Sequence, residues 1–226
     1  LHSEQPDSLW LDTLDPPVTR RSPLDGDLSV DVAIVGGGFS GLWTAYYLLA
    51  SDPNLNVLVI ESEYCGFGAS GRNGGWCEGA LAGGTDKYAA KSSKNEAQRL
   101  ERAMFDAVDE VERITHKEGI NCGFIKGGVI SVARNQPQAQ RQRDGIKSAR
   151  ENGFGEDVIR FLERDEALTY LNATKVLSGI FFAPSATIDP ARLVRGLAIA
   201  VEKLGGKIVE STKAINISKN EVTTDH

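Results

Sequence analysis

Three glycines (Gly36, Gly38 and Gly41), one acidic residue (Glu61) and one glycine-dense segment have the types and spacing to do chemistry in this chain. The segment reads Gly66-Phe67-Gly68-Ala69-Ser70-Gly71-Arg72-Asn73-Gly74-Gly75. In a G-x-G-x-x-G turn the first glycine permits a tight bend and the second lets backbone approach a pyrophosphate. The third lets helix and strand pack closely. The helix that follows offers free N–H groups and a partial positive charge to phosphate oxygens. A carboxylate at the end of the next strand, here Glu61, accepts hydrogen bonds from ribose hydroxyls. The second segment brings backbone near a large flat ligand, with Ser70, Arg72 and Asn73 supplying polar contacts. Phe67 and Trp76 argue against simple flexibility there.

A lone glycine fingerprint is common; its weight comes from the elements around it. Val30 to Val35 reads as a short buried strand and Leu42 to Ala50 as a helix with apolar residues all round. Asn56 to Ile60 reads as a second buried strand. This is one β-α-β unit, and its parallel crossover is right-handed by rule. A glycine-dense loop then runs to Gly84. Ser93-Lys94-Asn95-Glu96 is a capping box opening a long helix. Ala97, Leu100, Met104, Ala107, Val108, Val111 and Ile114 mark its buried stripe, and Gly119 its stop. Further on, strands are expected over 124–132, broken at Gly127-Gly128, and a polar helix over 137–151. A short helix follows over 165–171 and a strand over 179–183. Asp189-Pro190 places an N-cap and a first-turn proline on a helix that ends at Gly205-Gly206, and 207–211 is a further strand.

The order α/β, mixed, α/β implies an FAD/NAD(P)-binding Rossmann-like domain with an inserted α+β domain. The expected division is an extended arm over 1–29, a dinucleotide-binding domain over 30–84 and 189–226, and an insertion over 85–188. Trp10 and Leu11 of the arm can pack on the domain surface.

The fingerprint alone leaves FAD and NAD open. The string Ile34 to Gly41, then Glu61, then Gly68 to Gly75, resembles the D-amino-acid oxidase (glycine/sarcosine oxidase-like) family of FAD enzymes, and most of all the branch with gamma-glutamylputrescine oxidases. Ser8 to Asp12, Ile188 to Leu193 and Leu204 to Ile208 carry the same resemblance. It implies non-covalent FAD and hydride transfer from an amine or amino-acid carbon to the flavin, with oxygen as the acceptor. It also implies roles for residues. Gly36, Gly38 and Gly41 would hold the pyrophosphate and Glu61 the adenosine ribose. Ser70, Arg72, Asn73 and Gly74 would lie along the pyrophosphate and flavin, with the Ala214 backbone at the adenine. Phe39, Ser40, Ser62, Gly68, Ala69 and Gly75 complete the cofactor-binding set. Arg72 is the candidate for stabilising the anionic reduced flavin. Members of that family continue beyond the position matching His226, so both domains are expected to be incomplete and most substrate contacts to lie outside this chain. No catalytic residue is named.

Bulk properties narrow the class. Net charge is -6 with both signs mixed, and no Lys/Arg-rich run marks a nucleic-acid footprint. The longest apolar run is far short of a membrane span. Cys65, Cys77 and Cys122 form no C-x-x-C pair and read as reduced thiols, which points to the cytoplasm. Cys77 is read as an inert thiol rather than a flavin attachment point. His2, His116 and His226 are too scattered for a metal site. The expected partner is a small amine or amino acid. Two other readings use the same residues: a truncated dinucleotide-binding module without turnover, and an NAD-dependent dehydrogenase. The second leaves Gly68 to Gly75 unexplained.

Overall fold

β-branched side chains dominate residues 30–35 and recur over 57–60, and such residues suit a pleated strand. The computed structural model, which describes residues 8–226, folds them accordingly. In chain order the elements are α1 (Leu9–Asp12), β1 (Val32–Val35), α2 (Phe39–Ser51), β2 (Val57–Ile60), β3 (Trp76–Glu78), α3 (Thr85–Ala89) and α4 (Lys94–Glu118). Then follow β4 (Val129–Ala133), α5 (Gln136–Glu151), β5 (Ile159–Glu163), α6 (Arg164–Tyr170), β6 (Ser178–Phe182) and β7 (Ser185–Thr187). The last elements are α7 (Pro190–Lys203), β8 (Lys207–Val209), β9 (Ala214–Ser218) and β10 (Glu221–Thr224).

The chain divides into two compact units. The first holds the chain through Gly75, with Ile114–Gly123 and Ile188–His226; the second holds Trp76–Arg113 and Phe124–Thr187. Beyond joining the arm to the first unit, this differs from the division read from sequence at 76–84, at 114–123 and at Ile188. Residues 76–84 fall in the second unit because β3 pairs antiparallel with β7 there. Residues 114–123 fall in the first because Ile114 and Ile120 pack into its core.

The first unit is built on a parallel sheet of order β1-β2-β8. Val32 to Val35 of β1 lie opposite Val57 to Ile60 of β2, and Leu58 to Ile60 lie opposite Lys207 to Val209 of β8. All four residues of β2 are buried. On one face α2 and α7 cover the sheet through Leu42, Tyr46, Leu49, Val194, Leu197 and Val201. On the other, Leu58, Ile60 and Val209 meet Leu24, Val30 and Val222. The β9–β10 hairpin turns at Asn220 (φ 62°).

The second unit holds an antiparallel sheet of order β4-β6-β5, with Leu162, Ala167 and Val176 buried beside Ile130, Val132 and Phe181. Mixed α+β architecture was expected here; β5 and β7 were not.

Several boundaries moved for physical reasons. Helix α2 starts at Phe39 rather than Leu42, because Phe39 to Gly41 form its first turn. It buries one stripe, Leu42, Ala45, Tyr46 and Leu49, rather than every side. Strand β8 ends at Val209, since Ser211 adopts φ 52° and turns the chain. In α4 the Glu96 N–H donates to Ser93 Oγ at 3.2 Å, which is the cap-to-backbone half of the capping box. Ala97, Val108 and Ile114 of the stripe are buried, but Leu100 is 41% exposed and Ala107 is also exposed. Phe105 takes the inward place instead, edge-on to Phe154 and Phe182.

The two helix stops expected at glycines share one geometry. Gly119 (φ 68°) donates to His116 O and Ile120 to Thr115 O; Gly205 (φ 94°) donates to Glu202 O and Gly206 to Val201 O. This pair of bonds satisfies the last carbonyls of each helix. At the other end of α7, Asp189 accepts from the Arg192 N–H at 3.0 Å and Pro190 follows it. Of the arm, residues 1–7, His2 among them, lie outside the described residues. The stretch from Ser8 is not a bare extended segment: it carries α1, and Leu11 is buried.

Candidate dinucleotide site at the ends of the parallel strands

The site begins where β1 runs out. Gly36 donates its N–H to Ile60 O at 2.8 Å and then turns at φ 108°, a conformation L side chains avoid. Gly41 sits over the same turn: a Cβ there would lie 2.1 Å from Gly36 O and 3.2 Å from Ile34 Cγ2. No side chain fits, so helix and strand stay close. A Cβ on Gly38 would stand 2.9 Å from Ser70 Oγ. The bare backbone at Gly38 therefore faces the second glycine segment directly.

Ser70 joins the two segments. Its Oγ accepts from the Phe39 N–H at 2.9 Å, capping α2 from a residue 31 positions away. Gly38, the N-cap itself, has no side chain for the task. The next donors, Ser40 and Gly41, lie in the first helical turn, where no i−4 carbonyl exists within the helix. That end of α2 combines a partial positive charge with N–H groups suited to an anion.

Glu61 lies beside this turn. Its Oε2 accepts from Gly37 N–H at 2.7 Å, and its Oε1 accepts from Glu63 N–H at 2.9 Å and from the Ser62 hydroxyl at 3.2 Å. The carboxylate thus ties the glycine turn to the end of β2. An ionised carboxylate has about four acceptor positions, so these bonds do not exhaust it.

The loop from Gly66 repeats the geometry of the first. Gly66 turns at φ 86°, and a Cβ on Gly71 would lie 2.2 Å from Gly66 O. Ala69–Gly71 form a single 3-10 turn. Asn73 fastens it from within: Nδ2 donates to Ala69 O and Ser70 O at 3.2 Å each, and Oδ1 accepts from Gly75 N–H at 2.9 Å. Arg72 is exposed, with its Nε 3.4 Å from Gly68 O and its guanidinium over the Phe67 ring at 5.4 Å. Gly68, Ala69 and Gly74 are exposed.

Residues 61–63 and 210–214 run side by side. Ser211 N–H donates to Glu63 O, and Thr212 N–H donates to Glu61 O. Half-buried Ala214, which opens β9 opposite Thr224, follows two residues on. The structure therefore gathers Gly36, Gly38, Phe39, Glu61, Ser62 and Ser70 at the strand ends, with Ala214 continuing from the strand beside Glu61.

Two residues were not foreseen. Glu210 is fully buried, and its carboxylate accepts from Cys65 N–H (2.9 Å), Arg21 N–H (2.6 Å) and the Arg21 guanidinium (3.0 Å). Burial alone would raise its pKa. The N–H donors and the Arg21 charge outweigh that and hold the carboxyl below its usual range. Burial, with Glu210 adding to it, pushes the Cys65 thiol up to about 12. Trp10 is the second: its indole Nε1–H donates to Asn73 O at 2.8 Å. A sequence signal for Glu210 existed. It follows β8 as Glu61 follows β2, and Ile60 and Val209 are register partners.

None of the three cysteines forms a disulfide; Cys65 and Cys122 are buried and Cys77 is half-buried. Among the described residues no cluster of three or more His, Cys, Asp or Glu could hold a metal ion. Also among them, no helix is long and apolar enough to cross a membrane.

Residues 31–226 match the family described as DAO, FAD dependent oxidoreductase. The chain is 28% identical over 201 residues to a probable oxidoreductase, OrdL, of Haemophilus influenzae, covering 88% of this chain and 45% of that protein. It is 26% identical over 196 residues to gamma-glutamylputrescine oxidoreductase of Escherichia coli, covering 86% and 44%. The structure superposes on glycine oxidase from Geobacillus kaustophilus with TM-score 0.68 and 24% identity, over 87% of this chain and 51% of that one. The chain spans slightly under half the length of these two sequence relatives.

Proposed function

The chain belongs to the DAO family of FAD-dependent oxidoreductases, and we propose that it forms the FAD-binding part, with a portion of the substrate domain, of an enzyme that oxidises the C–N bond of a small amine or amino acid. The family's cofactor is FAD. The observation that carries the proposal is the meeting of Gly38, the N-terminus of α2 and the Ser70 hydroxyl at one point. Bare backbone at Gly38 fits a pyrophosphate, and Gly41 keeps helix and strand close beneath it. A side chain at Gly38 would meet Ser70 Oγ, and one at Gly41 would press on Gly36 O and Ile34.

In this reading Gly36, Gly38 and Gly41, with the Phe39 and Ser40 backbone, bind the pyrophosphate. Glu61, with Ser62, binds the ribose, and the Ala214 backbone meets the adenine. Gly68, Ala69, Ser70, Arg72, Asn73, Gly74 and Gly75 border the pyrophosphate and flavin. The first compact unit is the cofactor domain and the second contributes to the substrate domain. When bound, FAD would supply the acceptor for the hydride from the amine carbon, with dioxygen as the final electron acceptor. The Arg72 guanidinium would offset negative charge on the reduced ring. The substrate classes in the relatives' names, gamma-glutamylputrescine and glycine, support an amine or amino acid. The compartment inferred from sequence, where Cys65, Cys77 and Cys122 form no C-x-x-C pair, is the cytoplasm.

The visible absorption spectrum of the purified chain, with FAD added and after acid precipitation, tests the cofactor assignment. A flavin band that moves to the supernatant is expected for non-covalent FAD. A chain extended to the length of its relatives that stays colourless with excess FAD overturns it.

A further inference from the structure

Resting on that cofactor reading, we propose that Trp10 is a positioning residue for the second glycine segment, and that residues 8–24 are the brace through which it acts. The indole Nε1–H donates to Asn73 O, and the ring lies against Gly75, where a Cβ would stand 3.2 Å from Trp10 Cζ2. Asn73 is therefore gripped twice. Its side chain ties the loop internally, reaching Ser70 O and Gly75 N–H, while its carbonyl is held from outside by Trp10. Ser70 is the residue whose hydroxyl caps α2. A shift of Asn73 is thus passed to the hydroxyl that faces Gly38.

The brace is fixed along its length. Trp10, Leu11, Leu14 and Val18 pack with Tyr64, Phe67 and Ala191. Arg21 is held by buried Glu210 and by Glu202. Leu24 N–H donates to Thr212 Oγ1 at 2.9 Å. From the opposite side, Arg192 and Arg195 donate to the carbonyls of Thr13 and Thr19. Trp10 bonds to the loop's backbone, so its part is to set loop shape.

The experiment compares the wild-type chain with Trp10→Phe, which keeps a ring and loses the N–H, and with Trp10→Ala. Exposed Leu9→Ala serves as control. Three quantities are read: amide hydrogen exchange over 36–41 and 68–75 without cofactor, FAD affinity by flavin fluorescence, and the melting temperature. Trp10→Phe is expected to speed exchange in 69–75, to leave 36–41 unchanged, and to weaken FAD by about three- to tenfold, the effect of one neutral hydrogen bond. Trp10→Ala is expected to exceed it, and Leu9→Ala to match wild type. Unchanged exchange and affinity in Trp10→Phe overturn the inference. So does a lower melting temperature with loop exchange and affinity unchanged, which is a stability role only. A wild-type chain that binds no FAD, at any length, overturns the cofactor reading and this inference with it. Equal FAD binding by wild type and both Trp10 variants overturns this inference alone.

Discussion

The two glycine segments, 36–41 and 66–75, use one device and differ in what holds it. In each, a glycine at positive φ is followed five residues later by a glycine with no room for a Cβ above the first one's carbonyl. The first segment lies between a four-residue strand and a 13-residue helix, and its further bonds come from Ile60 and Glu61 at the end of β2 and from Gly66 and Ser70. The second has only a three-residue turn. Its shape depends on Asn73 within the loop and on Trp10, 63 residues away. The same local geometry is thus held by the β1-α2-β2 unit in one place and braced by a remote arm in the other.

That contrast can be broken from the brace side first. Glu210→Ala leaves the Arg21 guanidinium short of a buried partner and the Cys65 N–H without its acceptor, and should cost about 3–5 kcal/mol in denaturant unfolding. The sign with pH follows from its lowered pKa. The folded state holds the charged form more firmly than the unfolded chain, so this contribution is present above the ordinary carboxylate range and is lost as pH falls through and below it. Wild type should therefore lose stability on acidification more steeply than Glu210→Ala. Equal acid limbs would detach Glu210 from this account. Breaking the first segment should have a comparable or smaller effect: Gly41→Ala, with its Cβ against Gly36 O, is expected to cost about 1–3 kcal/mol and to abolish FAD uptake. A variant that melts near wild type and still binds FAD would show that the turn tolerates expansion. The smallest change, Ser70→Ala, cuts the one side-chain bond between the segments and should cost about 1 kcal/mol. Its FAD affinity should fall and the Phe39 amide, which loses its acceptor, should exchange faster while the Gly36 amide stays slow; rapid exchange at Gly36 would mean the β1-α2-β2 unit does not hold the turn.

The same distinction explains what was legible in sequence. The Gly36-to-Gly41 fingerprint, the stops at Gly119 and Gly205 and the cap at Asp189 are each signalled by residues within five positions of one another, and each was readable. The Gly68–Gly75 segment was legible as a glycine-dense loop, but its fastening was not. Trp10 meets Asn73, and Arg21 meets Glu210, only after the intervening chain has folded. Leu100 satisfied the helical period yet is exposed, whereas Phe105, off that stripe, packs edge-on to Phe154 and Phe182. Strands β5 and β7 exist because β6 and β3 offer them edges, and a strand's partner is not written in its own residues.

The strand order β1-β2-β8 also sets a timetable. During synthesis β1, α2 and β2 leave the ribosome early, but the second edge of β2, closed at Ile60, waits for a strand that opens at Lys207. At about 5–20 residues per second that wait is about 7–30 s. Through it a fully apolar Val-Leu-Val-Ile strand offers unpaired amides and carbonyls to any passing chain. A nascent chain of this design is therefore a client for holdase chaperones, and slowing translation across the second unit should raise its aggregation rather than improve its yield.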